Sequence, residues 1–261
     1  MKKTHPLIAL FAAIALALVV VPAASARKSA ARLSVFAAAS LNSVLPQIDA
    51  SQKYNFAGSD ALQAQIALGA PADVFLAAST VGPDALYAAG KCRKPVTFVR
   101  NRLVLAVPAS NPAGITSIYD LKRPGVRVLI GTPTVPIGSY TRQILRNFGL
   151  LTAITPQVVS QERDVATIAA KLELGAADAG FVYVTDALAA GPTLKAVQLP
   201  TWAQPPVKYE GCVVTASPNQ TDAAAFLKSL TSKPVQAKFT AAGFLLPKVP
   251  ARPVKPVKKK Q

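Results

Sequence analysis

Between Leu33 and Phe244, short apolar runs alternate with segments whose apolar residues recur every three or four positions. Leu33–Phe36, Val74–Ala77, Leu103–Val107, Val126–Ile130 and Gly180–Tyr183 are too short for helices and mostly apolar, interrupted only by Ser34 and Arg127, which predicts strands buried on both faces. Lys53–Phe56 and Val158–Val159 add shorter strands, and Val207–Thr215 reads as a strand that returns late in the chain to the first domain. The helical pattern falls on Leu41, Val44, Leu45 and Ile48, then on Leu62, Ile66 and Leu68, and then on Pro83–Ala89. It resumes over Ile137–Phe148, Asp164–Leu174, Asp222–Leu230 and Pro234–Ala241, with Gly69, Gly149 and Gly175 at helix stops. Strands alternating with helices predict an α/β fold of mostly parallel sheets, with ligands at the carboxyl ends of the strands. Local composition changes at the loop Pro108–Gly114, so one lobe is expected from 27–106 with 207–246 and the other from 107–206, joined by a hinge of crossing strands.

Chemistry gathers where strands meet helices. Ala37-Ala38-Ala39 leads to Ser40 at the expected N-cap of the first helix, and Ala57-Gly58-Ser59-Asp60 repeats the small-residue turn ahead of the second. Ile137 follows the rigid turn Gly131–Pro136, and Val165 opens another helix, so four turns each place a backbone amide at or near a helix start. Such amides carry partial positive charge, and their convergence would build an anion pocket from neutral donors. Tyr183, ending a buried strand, offers a phenolic donor to the same place. Asp60 is the one carboxylate in these motifs; it is expected to cap its own helix and to turn away from an anion it would otherwise oppose.

Composition removes whole classes of function. Lys2 and Lys3, the apolar run Leu7–Val21 and Ala24-Ser25-Ala26 make 1–26 a secretory leader, with no cysteine beside the cleavage site to take a lipid. The leader holds His5, the only histidine, so the mature chain has no Ser-His-Asp triad, no Cys-His pair and no histidine metal site. A secreted hydrolase using Ser40 or Ser59 would need a lysine base, and none lies near either motif in sequence. No side-chain metal site and no cofactor are expected. Cys92 and Cys212 are too far apart for a redox pair and, outside the cytoplasm, are expected to form a disulfide. Of the net charge of +17, Lys2 and Lys3 take two and the proline-rich tail 247–261 takes six, leaving nine on the body. Without interleaved aromatics this does not suggest nucleic acid; it suits steering of small anions. The basic tail reads as disordered, with contact to an anionic envelope polymer as an alternative role.

The residues Val35–Leu41, Gly69–Phe75, Asn101–Val104, Pro124–Val126, Val135-Pro136 with Gly138 and Tyr140, and Ala177–Tyr183 with Asp186 together resemble the periplasmic molybdate-binding proteins of ABC importers. The resemblance covers nearly the whole mature chain. It implies a type II substrate-binding protein of two α/β lobes that closes on molybdate or tungstate and presents it to an inner-membrane permease, as a monomer and without catalysis. The ligand positions it implies are Ser40 and Ser59 through hydroxyl and amide, Ile137 and Val165 through their amides, and Tyr183 through its hydroxyl. Asp60 departs from the small or hydroxyl residue that many relatives carry, and another oxyanion such as sulfate is the alternative ligand.

Overall fold

The computed structural model describes residues 31–247, so the expected leader and nearly all of the basic tail lie outside the described residues. Ten strands are described: β1 Ser34–Ala38, β2 Lys53–Ala57, β3 Val74–Ala77, β4 Val96–Asn101, β5 Leu103–Pro108, β6 Val128–Gly131, β7 Val158–Glu162, β8 Ala179–Tyr183, β9 Leu194–Gln198 and β10 Val207–Val213. The α-helices are α1 Leu45–Ile48, α2 Ser59–Ala67, α3 Val81–Ala88, α4 Pro136–Asn147, α5 Leu151–Ile154, α6 Val165–Glu173, α7 Val184–Ala190, α8 Gln220–Ser229 and α9 Lys233–Ala241. The strands form two five-stranded sheets, ordered β2-β1-β3-β10-β4 and β7-β6-β8-β5-β9, and each sheet with its flanking helices makes one lobe.

Both sheets are mostly parallel in direction, with one strand of each five reversed. In each, three strands joined through helices are parallel, as βαβ units require. The reversed strand is β10 in the first sheet and β5 in the second, each paired antiparallel on both edges, so β4 and β9 run in the same direction as the parallel three. The chain crosses between sheets at Arg102, where β4 ends at Asn101 and β5 begins at Leu103. Leu103–Pro108 therefore belongs with the second sheet, opposite the expectation that it completes the first lobe. Its apolar run is buried throughout, and nothing in such a run tells which sheet receives it. The chain crosses back between β9 and β10, and there the Gln204 amide bonds both backbone groups of Leu103, accepting its N–H at 3.0 Å and donating to its carbonyl at 2.8 Å. The two crossings are thereby fastened to each other.

The lobes repeat one construction. Asp73, just before β3, accepts the N–H of Ser34 at 2.7 Å, and Asp178, just before β8, accepts the N–H of Arg127 at 2.8 Å. Each carboxylate pins the start of its lobe's central parallel strand, and Asp178 adds an ion pair with the Arg127 guanidinium at 2.8 Å. That neighbour holds the Asp178 carboxyl below its ordinary range.

Several local expectations fail for identifiable reasons. No helix runs from Ser40 to Ile48; Ala39–Leu41 is a 3-10 turn and the α-helix restarts only at Leu45, with Pro46 in its first turn. Pro46 has no N–H to continue a helix begun at Ser40. Leu68 is no part of an apolar stripe but 90% exposed at the end of α2. Strands β4 and β9 escape a hydrophobic reading because Thr97 and Arg100, or Lys195 and Gln198, interrupt them.

Cys92 and Cys212 are joined as a disulfide, Cα to Cα 5.8 Å, within the first lobe's second core cluster with Phe36, Leu62 and Phe75. The bridge ties the segment after α3 to β10 across a sequence separation of 120 residues. Thiol titration of the denatured, unreduced protein is expected to find no free cysteine; two reactive thiols would contradict the bridge. Cys92→Ser with Cys212→Ser should lower unfolding free energy by roughly 2 to 5 kcal/mol in chemical denaturation, given the length of the loop released.

Candidate functional site

The parallel strands of both lobes end at one cavity. It is lined by Ala38, Ala39 and Ser40 after β1, Ala57, Gly58 and Ser59 after β2, Ala78 after β3, Val135–Ile137 before α4, Asp164 and Val165 at α6, and Tyr183 at the end of β8. All five residues expected to hold a ligand are brought together here. The cavity's volume is only about 10 Å³, too little for a drug-sized organic solute.

Local sequence explains how each donor arrives. Pro136 occupies the first helical position of α4, where a missing N–H costs nothing, so the Ile137 amide is the foremost one. Gly138 follows because a Cβ there would collide with the carbonyls of Gly131 and Thr132; without a side chain, the first turn of α4 packs onto the end of β6. Arg142 donates to the Gly131 carbonyl at 2.7 Å and to the Gly138 carbonyl at 3.0 Å, so its charge is spent on holding this turn. Asp164 caps α6, accepting the Thr167 N–H at 2.8 Å, which leaves the Val165 amide free of an in-helix acceptor.

The three side-chain hydroxyls are buried, Tyr183 at 1%, Ser40 at 2% and Ser59 at 3% exposure. Ser59 Oγ accepts the N–H of Ala78 at 3.1 Å; an amide can only donate, so the serine's own proton is directed elsewhere. Ser40 Oγ lies 2.7 Å from the Tyr209 hydroxyl. Tyr183 Oη has no hydrogen-bond partner among the described residues. Burial pushes the phenols of Tyr183 and Tyr209 well above their ordinary pKa, so both remain protonated at any physiological pH. Among the described residues, no lysine or arginine lines the cavity. The arrangement is a set of neutral donors, and no nucleophile is paired with a base.

Asp60 stands outside the lining. One carboxylate oxygen accepts the N–H of Ala61 at 2.9 Å within the first turn of α2, but Asp60 lies inside the helix and Gly58 holds the N-cap position, without a side-chain capping bond. The other accepts the hydroxyl of Thr134 at 2.6 Å, which belongs to the second lobe. No spacing rule points from Asp60 to that partner. Next to it Gly58 packs on the carbonyl of Arg163 so closely that a Cβ would clash, and the two lobes meet backbone to backbone. Tyr209, Thr134 and Asp164 are the participants that sequence reasoning missed. Tyr209 and Thr134 sit in an ordinary strand and an ordinary turn, and only Asp164, three residues before Thr167, carried a capping signal.

Asp186 accepts the backbone N–H of Tyr183 at 3.1 Å, and burial, opposed by this bond and aided by the charge of Asp164, raises its pKa to about 7 from the ordinary 3.8. The folded protein thus keeps a proton that the unfolded chain releases, and Asp186 costs stability progressively as pH rises from about 4 to about 7. Asp186→Asn should therefore gain on the order of 1 to 3 kcal/mol over the parent at pH 8 relative to pH 4. Paired urea titrations at the two pH values measure this; an unchanged difference would contradict it.

Residues 33–245 match the family of bacterial extracellular solute-binding proteins. The chain is 35% identical over 230 residues to the molybdate-binding protein ModA of Mycobacterium bovis, covering 84% of this chain and 87% of that one. It is 30% identical over 234 residues to ModA of Escherichia coli, covering 81% and 88%. Among solved structures, the substrate-binding domain of a molybdenum ABC transporter from Clostridium difficile aligns with a TM-score of 0.61 at 28% identity over 82% of this chain and 98% of that one. The periplasmic molybdate-binding protein of Azotobacter vinelandii has the same fold, with a TM-score of 0.75 at 24% identity over 83% and 100%. With two five-stranded lobes meeting over a cavity of buried donors, the chain belongs to the bacterial extracellular solute-binding protein family.

Proposed function

We propose that this chain works outside the cytoplasm as the receptor of an ABC importer, closing its lobes on a tetrahedral oxyanion, molybdate or tungstate, and delivering it to a membrane permease. The observation that carries this reading is the Tyr183 phenol, buried, unpartnered among the described residues and facing a cavity with two serines and three helix starts. A buried polar atom without a partner costs roughly 1 to 3 kcal/mol, an arrangement that makes sense where an acceptor arrives from outside. A fully deprotonated oxyanion offers only acceptors, which matches a lining of donors. The two relatives named as molybdate-binding, at 35% and 30% identity, support this choice of anion.

Closure brings the two halves of the donor set together, since Ser40 and Ser59 come from the first lobe and Ile137, Val165 and Tyr183 from the second. The Asp60–Thr134 bond and the Gly58–Arg163 contact exist only when the lobes are closed, so they favour the ligand-holding form. Nothing in this cycle calls for bond making in the solute. The chain acts as a receptor, not a catalyst.

Titration calorimetry with molybdate, tungstate and sulfate tests the reading; failure of all three to bind would end it. Ser40→Ala and Ser59→Ala should each lose roughly 1.5 to 3 kcal/mol of binding free energy, the worth of a hydrogen bond to a charged acceptor. Unchanged affinity in both would remove the serines from the site. Thr134→Val should weaken binding more modestly, by about 0.5 to 1.5 kcal/mol, and should do so by speeding release in stopped-flow measurements. A variant that releases the anion no faster would show the Asp60–Thr134 bond to be incidental to closure.

A further inference from the structure

Asn101 ends β4 at the crossing between the lobes, and its side chain has three neighbours. Its Oδ1 accepts the backbone N–H of Arg102 at 2.9 Å. Its Nδ2 lies 3.0 Å from Thr185 Oγ1 in α7 and 3.4 Å from the hydroxyl of Tyr209 in β10. The Arg102 amide can only donate, so the Asn101 carbonyl oxygen must face it and the NH2 group must face Tyr209 and Thr185. That NH2 has two protons, one for each hydroxyl. Tyr209 thus receives a hydrogen bond from Asn101 and keeps its own proton to give. Its nearest acceptor is Ser40 Oγ, 2.7 Å away. Ser40 accepts in turn, and its remaining proton is left for the cavity.

We propose that Tyr209 and Asn101, neither of which lines the cavity, are positioning residues that fix the Ser40 hydroxyl as a donor toward the bound oxyanion. The inference rests on the oxyanion reading above. The relay does for Ser40 what the Ala78 amide does for Ser59, so both site serines are held with the oxygen engaged from behind and the proton forward. It is built to be permanent. Tyr209 and Asn101 are buried, burial keeps the Tyr209 phenol protonated, and its ring is wedged edge-on against Tyr183 and Phe244 at centroid distances of 5.8 and 5.4 Å. Without the relay, the Ser40 hydroxyl is free to rotate and can present a lone pair, which an anion repels. The relay also spans both lobes: Asn101 lies at the crossing, and Thr185 belongs to the second lobe.

The test is a double-mutant cycle on the full mature chain, with molybdate titrated calorimetrically into the parent, Tyr209→Phe, Ser40→Ala and the double variant. Tyr209→Phe keeps the ring and removes only the hydroxyl. It should weaken binding by about tenfold, within what one hydrogen bond to a charged ligand is worth, yet add less than about twofold once Ser40 is alanine. Asn101→Ala, run through the same cycle, gives a second route if Tyr209→Phe folds poorly. Melting temperatures separate a structural role from a positioning one. Loss of melting temperature with affinity unchanged, or equal losses of affinity with and without Ser40, would overturn the relay. If the parent binds no oxyanion, the oxyanion reading fails and the relay falls with it; if the parent binds and the losses are additive, only the relay fails.

Discussion

A hydrogen-bond donor that is buried with nothing to accept it is among the costlier features a fold can contain, and the Tyr183 phenol is one, set in a cavity that two serines and two helix starts also line. That constraint explains much of the construction. The donors have to be held apart from water and from each other's acceptors, which loops could not do. They are therefore mounted on rigid mounts: the ends of buried parallel strands and the first turns of helices, where geometry leaves amides unbonded. Around them the residues are alanine, glycine, valine and proline, which fill space without offering competing acceptors. The one carboxylate in the lining, Asp164, is occupied by its own helix.

The two lobes reach this end by the same means. Asp73 and Asp178 anchor equivalent strands with equivalent bonds, and α2 and α6, nine residues each, deliver Ser59 and Val165 from equivalent positions. The halves differ where they join. In the first, β10 is inserted between β3 and β4; in the second, β5 is inserted between β8 and β9. Each lobe thus receives one strand from a distant part of the chain, and Gln204 bonds across the crossing at Leu103. A joint made of paired strands permits rotation while opposing separation.

The sequence disclosed the parts of this design that depend on local pattern. Most of the buried parallel strands announce themselves as short, largely apolar runs, and small-residue turns ahead of helical periodicity located Ser40, Ser59, Ile137 and Val165 near one another in kind before they were near one another in space. What stayed hidden depends on pairing across long separations. Leu103–Pro108 is equally at home in either sheet by its hydrophobicity, and only its registry with Tyr183 and Gln198 decides the matter. Asp60 and Thr134 are 74 residues apart, and Ser40 and Tyr209 are 169 apart. No spacing rule links such pairs. The apolar spacing of Val44, Leu45 and Ile48 suits a long first helix, and only Pro46 opposes it.

The insertion of β10 has a consequence for the order in which the molecule can be built. Strand β4 reaches the first sheet only through β10, and β3 has β10 on its second edge, so the first lobe cannot close its sheet until residue 213 has been made. A nascent chain holding only the first hundred residues has three paired strands, a stranded β4 and an unbridged Cys92. Maturation is therefore governed by the carboxyl-terminal third, and pairings of such high contact order form slowly. For a polypeptide threaded through a narrow conduit before it folds, this delay is useful: the topology itself postpones compaction until most of the chain has emerged.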